Sequence, residues 1–192
     1  MKSVIQMNLI FAAVYAFWLI SEIIINRILR PSKTKDSQTD RGSLTLIWIA
    51  VFLGIFAAIY VANRYYYPLL ENEKIRYVGL IIICLGIIFR IIIIKTLGDF
   101  FTVTVAIRQN HQLKKDGFYK YVRHPSYSAS LLSFIGFGIS LNNILALLIV
   151  FTFIFIAFAF RIKIEENTLI AHFGDEYINY KKKTKKLIPF MY

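Results

Sequence analysis

Hydrophobic residues are concentrated in four long runs that are separated by polar stretches. The runs cover residues 4–25, 44–62, 78–94 and 127–160. About 20 apolar helical residues cross the hydrocarbon core of a bilayer, which is about 30 Å thick. The fourth run is interrupted at Asn142 and Asn143, so it predicts a helical hairpin. We therefore predict an all-α integral membrane protein with about five transmembrane helices.

A polar, basic stretch separates the third run from the fourth. Residues 111–127 read HQLKKDGFYKYVRHPSY, and residues 101–105 alternate as a short strand does. We predict that residues 96–122 fold as a cytosolic loop. The chain then divides into 1–95, with three transmembrane helices, and 96–192. The second part contains the loop, the hairpin and a C-terminal cytosolic helical segment, and we expect it to be the catalytic and cofactor-binding part.

The net charge of +12 is distributed as in a membrane protein that follows the positive-inside rule. With the N-terminus outside, the outer segments carry four Lys and Arg. The inner segments, 27–41, 108–123 and 161–186, carry seventeen. We therefore predict a multi-pass protein with a cytosolic C-terminus, in a prokaryotic plasma membrane or, for a eukaryotic source, in the endoplasmic reticulum. Membrane topology accounts for the charge, so we expect membrane lipids and no nucleic acid as partners.

The ends of the first apolar run and the few polar residues inside the runs allow further predictions. The first run is longer than a signal-peptide core and has no small-residue cleavage site, which favours a retained helix. Glu22 is either functional or an interfacial group beside Arg27, and Arg90 either snorkels to the headgroups or faces a buried polar pocket. With Cys84 as its one cysteine, the chain has no cysteine-based metal site, and we predict no metal.

Arg123, His124 and Pro125 stand where the chain re-enters apolar sequence. Proline suits the first position of a helix, so we predict that a helix begins at Pro125 with His124 at its cap. The free N–H groups of Ser126, Tyr127 and Ser128, next to Arg123, would then form a site for a carboxylate or phosphate. The alternative is an ordinary capped helix with an interfacial Arg-His pair.

A second polar group follows the last apolar run. Arg161 and Glu165 are four residues apart and share one helix face, while Glu166 points about 100° away. Gly174 is predicted to end this helix before a new one starts at Asp175. The residues that form an apolar strip able to pack on the loop are Leu169, Phe173, Tyr177 and Tyr180. The alternative for Arg161 and Glu165 is a surface ion pair of little energetic value.

Taken in order, these residues resemble the isoprenylcysteine carboxyl methyltransferases from about residue 97 to the end. The set that carries the resemblance is His111 with Leu113, Gly117 with Tyr119, Arg123-His124-Pro125 with Tyr127, Arg161 with Glu165-Glu166, Phe173-Gly174, and Tyr177 with Tyr180. The resemblance implies a helical multi-pass enzyme that uses S-adenosyl-L-methionine in a cytosol-facing pocket. It also implies a lipid substrate that enters from the bilayer. Two departures are the small number of helices and an N-terminal half without a matching motif.

The resemblance also implies roles for individual residues. It places Arg161 and Glu165 near the reacting groups. The residues that it places around the cofactor are Leu113, Gly117, Tyr119, His124, Pro125 and Tyr127. The chemistry of the cofactor fits this arrangement, since Arg123 and the helix start at Pro125 suit its carboxylate and Glu165 or Glu166 suits its ammonium.

Methyl transfer to a carboxylate chiefly needs alignment, because the acceptor is already ionised at neutral pH. Arg161 would hold that carboxylate with two hydrogen bonds. We therefore predict an S-adenosylmethionine-dependent O-methyltransferase that acts on a lipophilic, isoprenylcysteine-like acid. In a prokaryote the acceptor would rather be a small isoprenoid or polyketide acid or phenol.

Three alternatives stay open. A phospholipid amine or a lipid phenol could be the acceptor, and an amine would need Glu165, Glu166 or His111 as a base. An NADPH-dependent sterol-type reductase shares an Arg-His-Pro-like segment, but its tail favours Asp and Cys. A membrane scaffold without activity would tolerate the loss of Arg161 and Glu165.

Overall fold

The chain is helical over the residues that the computed structural model describes, 9–28, 37–97 and 113–188. The elements are α1 (Leu9–Ile28), α2 (Ser37–Arg64), α3 (Ile75–Leu97), a short 3-10 helix (Gly117–Lys120), α4 (Pro125–Ser140), α5 (Ile144–Phe173) and α6 (Asp175–Lys183). The all-helical prediction is confirmed for these residues. The short strand predicted at 101–105 and His111 lie outside them.

Three helices in the described part of the chain are long and apolar enough to cross a membrane. They are Leu44–Arg64, Ile75–Leu97 and Ile144–Phe173. This supports an integral membrane protein and gives three candidate spans, while the predicted number of five crossings stays a prediction. Leu9–Ile25 is a shorter apolar helix and α4 has 16 residues, so their passage across the bilayer stays a prediction.

The predicted hairpin is formed by α4 and α5, and two asparagines make its turn. Asn142 takes a φ of 49°, a left-handed conformation that asparagine tolerates better than most residues. Its side-chain oxygen accepts from the N–H groups of Leu69 and Leu70 at 3.1 and 3.2 Å. Asn143 caps α5 by accepting from the N–H of Ala146 at 3.0 Å. The asparagines therefore turn the chain and also tie the hairpin to the α2–α3 loop.

Helices α3 and α4 pack so closely that side chains larger than a few atoms do not fit between them. A Cβ on Gly136 would lie 2.7 Å from the carbonyl oxygen of Gly79. Further along α3, a Cβ on Gly86 would lie 2.8 Å from the carbonyl oxygen of Ala129 and would also meet the Ser133 side chain. Small residues allow helix backbones to approach closely in membranes, where no hydrophobic effect drives association. This contact fixes α4, and with it the end that starts at Pro125, against α3.

The segment after α6 runs back to the start of α4. Val122 and Lys185 form a parallel β-bridge, with the N–H of Arg123 donating to the carbonyl of Lys185 at 2.8 Å. The N–H of Lys185 donates to the carbonyl of Tyr121 at 3.0 Å. Beyond the bridge, Leu187 is fully buried in the main hydrophobic core. The C-terminal segment is thereby held beside the Arg-His-Pro step.

The two ionisable residues inside the apolar runs pair with each other. The Arg90 Nη1 lies 3.2 Å from Glu22 Oε1, and Ser130 on α4 donates to the same oxygen at 3.4 Å. Glu22 therefore packs into the bundle against α3 and α4. The pair connects three helices at a depth where an unpaired charge would be costly.

Candidate active site

A charged cluster forms where α4 begins and α5 nears its end. It consists of Arg123, His124, Glu165 and Glu166, which come from segments more than forty residues apart. Only 4% of His124 and 3% of Glu166 are exposed, so these groups have little water around them. Buried ionisable groups need partners and hydrogen bonds, and the cluster supplies both signs of charge.

Glu166 lies at the centre of the cluster. Its Oε1 accepts from Arg123 Nε at 2.8 Å and lies 3.4 Å from His124 Nε2. Its Oε2 lies 2.9 Å from Lys181 Nζ of α6. Three nitrogen groups therefore surround one carboxylate, and they join the start of α4, the end of α5 and α6. Lys181 was not among the predicted site residues, because nothing in a run of lysines marks the one that turns inward.

Arg123 is held inside the protein rather than directed at a free anion. Besides Glu166, its guanidinium donates to the carbonyl of Lys181 at 3.0 Å and to the carbonyl of Thr184. Charge-assisted hydrogen bonds of this kind are among the strongest in proteins. The prediction that Arg123 is a site residue stays open, but its observed contacts fix the segment after α6 against the cluster.

The helix begins at Pro125 with His124 at its cap, as predicted, but the expected row of free N–H groups is not present. The N–H groups of Tyr127 and Ser128 both donate to the carbonyl of His124, at 3.1 and 3.2 Å. The prediction of three free donors is therefore wrong for these two residues. The reason is that the cap residue's own carbonyl already accepts the first helical hydrogen bonds.

Glu165 is the more accessible carboxylate of the cluster. Its Oε2 accepts from the Tyr127 hydroxyl at 3.1 Å, and its Oε1 lies 3.6 Å from His124 Nδ1. The side chain is 29% exposed, against 4% for Glu166. Part of the Glu165 side chain is thus left uncovered by the described residues.

His124 stands between the two glutamates and its charge depends on them. Burial by itself lowers the pKa of His124, but the Glu165 carboxylate, followed by Glu166, raises it by more. The net pKa is therefore above the ordinary value for histidine, and the protonated form is favoured. A protonated imidazole donates to one carboxylate from each ring nitrogen, which suits the two observed contacts.

Arg161 is almost completely buried, one helical turn before Glu165 on α5. The two side chains interact electrostatically. The prediction that they share one face of a helix is confirmed, whereas a solvent-exposed surface pair is excluded by the burial of Arg161. Gly174 ends α5 with a φ of 54° and α6 starts at Asp175, as the sequence predicts.

Two tyrosines of α6, Tyr177 and Tyr180, lie beside the charged cluster. Tyr180 donates to the carbonyl of Tyr119 at 2.6 Å, and burial raises the pKa of Tyr180 to about 12. Tyr177 is 1% exposed, and among the described residues its hydroxyl has no hydrogen-bond partner. Burial, followed by the nearby Glu166 and Glu165, raises the pKa of Tyr177, so it stays a neutral donor. A buried donor without a protein partner can be satisfied by a water molecule or by a polar ligand atom.

The remaining predicted residues lie at different distances from this centre. Pro125 is buried at the first position of α4, and Tyr127 contacts Glu165 directly. Tyr119 is buried in a separate small cluster, with Ile93 and Ala129, and is joined to α6 by Tyr180. Leu113 is half-buried and Gly117 is exposed with a φ of 58°. Within the described residues neither Leu113 nor Gly117 forms a hydrogen bond to the charged cluster.

Comparison with known proteins identifies relatives of this chain. A sequence model of the isoprenylcysteine carboxyl methyltransferase (ICMT) family matches residues 79–171. The chain is 34% identical to protein-S-isoprenylcysteine O-methyltransferase B of Arabidopsis thaliana over 135 residues, which are 69% of this chain and 68% of that protein. The chain belongs to the isoprenylcysteine carboxyl methyltransferase family. Membership implies a methyl donor of the S-adenosylmethionine type.

Other relatives of the ICMT family are longer than this chain. It is 37% identical to the protein-S-isoprenylcysteine O-methyltransferase of Saccharomyces cerevisiae over 115 residues, which are 59% of this chain and 48% of that protein. It is also similar to the structure of the eukaryotic intramembrane Ras methyltransferase ICMT, with a TM-score of 0.66 and 27% identity. The match covers 93% of this chain and 64% of that one. The chain therefore spans about half to two thirds of the length of these relatives.

The charged cluster fits a ligand of the S-adenosylmethionine type. That cofactor carries an ammonium, a carboxylate and a sulfonium cation, so it needs negative charge and hydrogen-bond donors. The partly exposed Glu165 suits the first need, and the Tyr177 hydroxyl, which has no hydrogen-bond partner among the described residues, suits the second. Across 9–28, 37–97 and 113–188, no group of three or more His, Cys, Asp or Glu is arranged to hold a metal ion.

Proposed function

We propose that the chain transfers a methyl group from S-adenosylmethionine to the carboxylate of a lipophilic, isoprenylcysteine-like substrate. The observation that carries the proposal is the pairing of a partly exposed carboxylate, Glu165, with a buried guanidinium, Arg161, at the end of an apolar helix. Lipid-soluble and water-soluble reactants can meet at such a place. The named function of the relatives supports the same activity, and residues 96–192 would be the catalytic part.

The residues of the charged cluster would hold the cofactor. Glu165 and Glu166 provide the negative charge that suits its ammonium, while Arg123 and His124 keep those carboxylates ionised and in place. The residues that would line the rest of the pocket are Pro125, Tyr127, Leu113, Gly117 and Tyr119. When bound, the cofactor supplies an electrophilic methyl group on a sulfonium.

Arg161 and Glu165 would act on the reacting groups. The Arg161 guanidinium holds the acceptor carboxylate with two hydrogen bonds and orients one oxygen for in-line attack. The acceptor carboxylate is ionised at neutral pH, so the reaction needs no general base. Glu165 would contribute its negative charge to the site. Burial of Arg161 strengthens its interaction with an incoming anion, because little water competes for the guanidinium.

The orientation follows from the charge distribution. We assign the N-terminus to the outside and the C-terminus, with the charged cluster, to the cytosol, because seventeen Lys and Arg lie in the segments of that side. The membrane would be a prokaryotic plasma membrane or the endoplasmic reticulum. The substrate would enter from the bilayer, with membrane lipids around the helices.

A labelled-methyl transfer assay tests the proposed function. The purified chain in nanodiscs receives S-adenosylmethionine with a labelled methyl group and either a farnesylated thiol-acid or phosphatidylethanolamine. We expect label in the thiol-acid as a methyl ester that mild base releases as methanol. Base-stable label in phosphatidylethanolamine would instead show an amine methyltransferase, and no transfer to either lipid would contradict the proposal.

A matched pair of variants on α5 separates function from folding in that assay. Arg161→Lys removes the two-pronged contact but keeps the charge, so ester formation should fall. Lys163→Arg, an exposed site two residues away, should leave it unchanged. Equal activity of both variants would remove Arg161 from the proposed mechanism.

A further inference from the structure

A cationic cleft is formed by the end of α6, the segment that follows it and Arg123. Its volume is about 460 Å³, and it is lined by Arg123, Lys181, Lys182, Lys183, Thr184, Lys185 and Lys186. Six of these seven residues are cationic, and no acidic residue lines the cleft within the described part of the chain. So much charge of one sign around a concave surface creates a strong positive potential and favours an anionic ligand.

Two of the cationic residues already contact a carboxylate, whereas others form no ion pair with the described residues. Arg123 and Lys181 both contact Glu166, so they link the cleft to the charged cluster. Lys182, Lys183 and Lys185 are exposed, and none of them forms an ion pair with a carboxylate of the described residues. The cleft therefore carries uncompensated positive charge.

The position of the cleft relative to the apolar helices indicates its depth. The backbone bridge between Val122 and Lys185 holds the lysines beside the first turn of α4, where the polar sequence ends and the apolar helix begins. Leu187, just after them, is fully buried in the main core of the bundle. Phe118 and Tyr121, in the segment just before the bridge, expose aromatic rings, as residues of a membrane interface commonly do. These features place the lysines at the level of the lipid headgroups.

We propose that this cleft is a binding site for the phosphate headgroup of an anionic phospholipid of the cytosolic leaflet. A phosphodiester supplies the single negative charge and the acceptor oxygens that lysine ammonium groups bind. Its acyl chains would lie along exposed apolar side chains of the helix bundle. A soluble anion would need no such depth, and the adjacent interfacial aromatics favour the lipid.

Ligand binding by the detergent-solubilised full chain tests this site without relying on activity. Native mass spectrometry would follow titration with short-chain phosphatidylglycerol, short-chain phosphatidylcholine and inorganic phosphate. We expect phosphatidylglycerol to bind at least about tenfold more tightly than phosphatidylcholine, because each lysine near an anionic headgroup strengthens binding by about fivefold. Inorganic phosphate alone should bind weakly and should not displace the lipid.

Matched variants locate the site. The double variant Lys182→Gln/Lys183→Gln should weaken phosphatidylglycerol binding by at least about tenfold, and Lys182→Arg/Lys183→Arg should retain it. The control Lys95→Gln/Lys163→Gln removes the same charge from exposed positions at the same end of the bundle, and it should bind as the unchanged chain does. Thermal melting of each variant shows that the fold is kept.

Three results would overturn the proposal. Equal binding of phosphatidylglycerol by the cleft variant and the control would show a diffuse charge effect. Displacement of the lipid by inorganic phosphate at similar concentrations would show a site for a soluble anion. Displacement by S-adenosylhomocysteine would show that the cleft belongs to the cofactor pocket.

Discussion

Two buried ion pairs of this chain differ in what they leave for a ligand. Between α1 and α3, Glu22 and Arg90 pair at 3.2 Å, and both side chains are nearly equally covered, at 12% and 13% exposure. At the end of α5, Glu166 is almost fully enclosed by cations, but its neighbour Glu165 is 29% exposed. Beside them the hydroxyl of Tyr177 lacks a protein partner in the described residues.

The difference shows that a charge at membrane depth does not by itself mark an active site. The Glu22–Arg90 pair joins α1, α3 and α4, and its carboxylate is less exposed than that of Glu165. The charged cluster contains one satisfied carboxylate that holds the framework and one accessible carboxylate that can meet a ligand.

The largest expected effect is on stability, at the satisfied carboxylate. Arg123→Met should lower the free energy of unfolding by about 3–5 kcal/mol, because it leaves Glu166 buried with fewer cationic partners. Chemical unfolding in detergent, followed by circular dichroism, measures the change. The double variant Glu22→Gln/Arg90→Gln removes both charges of the other pair and should cost much less. A comparable loss of unfolding free energy in both variants would mean that the two ion pairs contribute equally to stability.

The next effect is on catalysis, at the accessible carboxylate. Glu165→Gln should lower kcat/KM for methyl transfer by about 100-fold, since the charge that the proposed function puts beside the reacting groups is lost while the shape is kept. Initial-rate kinetics with labelled cofactor provide the value, and the melting temperature shows whether the protein is folded. Glu22→Gln is the matched control and should retain activity. If Glu22→Gln lost as much activity as Glu165→Gln, the distinction between the pairs would fail.

A smaller catalytic effect is expected at Arg161. Arg161→Lys should raise KM for the acceptor acid by about tenfold with a smaller change in kcat, because an ammonium cannot form the two parallel hydrogen bonds of a guanidinium. Varying the acceptor at saturating cofactor separates the two parameters. An unchanged KM would indicate that Arg161 serves only the packing of α5.

The smallest effect is a pH dependence of stability through His124. Its pKa is raised in the folded chain, so the stabilisation from protonated His124 is complete below the ordinary value of 6.5 and is lost as the pH rises through the folded pKa. The melting temperature should therefore fall from acidic to mildly alkaline pH, and His124→Gln should lose that slope. His172→Gln, an exposed histidine on the same α5, should keep it. A slope that survives in His124→Gln would assign the dependence to another group.

Local signals in the sequence predicted the helices and their ends. The asparagine pair predicted the hairpin, Pro125 predicted the first residue of α4, and Gly174 predicted the end of α5. Each of these depends on backbone preferences of a few neighbouring residues. The family resemblance pointed to the residues of the charged cluster, but it gave no information about their contacts.

Contacts between distant segments could not be predicted. Glu166 and Arg123 are 43 residues apart, and the pairing of Lys181 with Glu166 depends on where α6 turns after Gly174. Likewise, no pattern in the sequence pairs Glu22 with Arg90, because each run shows only that its ionisable residue needs a partner. The prediction of free N–H groups at Tyr127 and Ser128 was wrong because the backbone carbonyl of the cap residue His124 accepts from both. A prediction from side-chain chemistry leaves this backbone acceptor out.

A structure of the chain with S-adenosylhomocysteine, in nanodiscs, tests the central claim most directly. That claim is that the start of α4 and the end of α5 enclose the methyl donor. The account predicts ligand density between these two helix ends, with the ligand ammonium within hydrogen-bonding distance of Glu165 and a polar ligand atom at the Tyr177 hydroxyl. Density elsewhere, in the cationic cleft or among α1, α2 and α3, would contradict it.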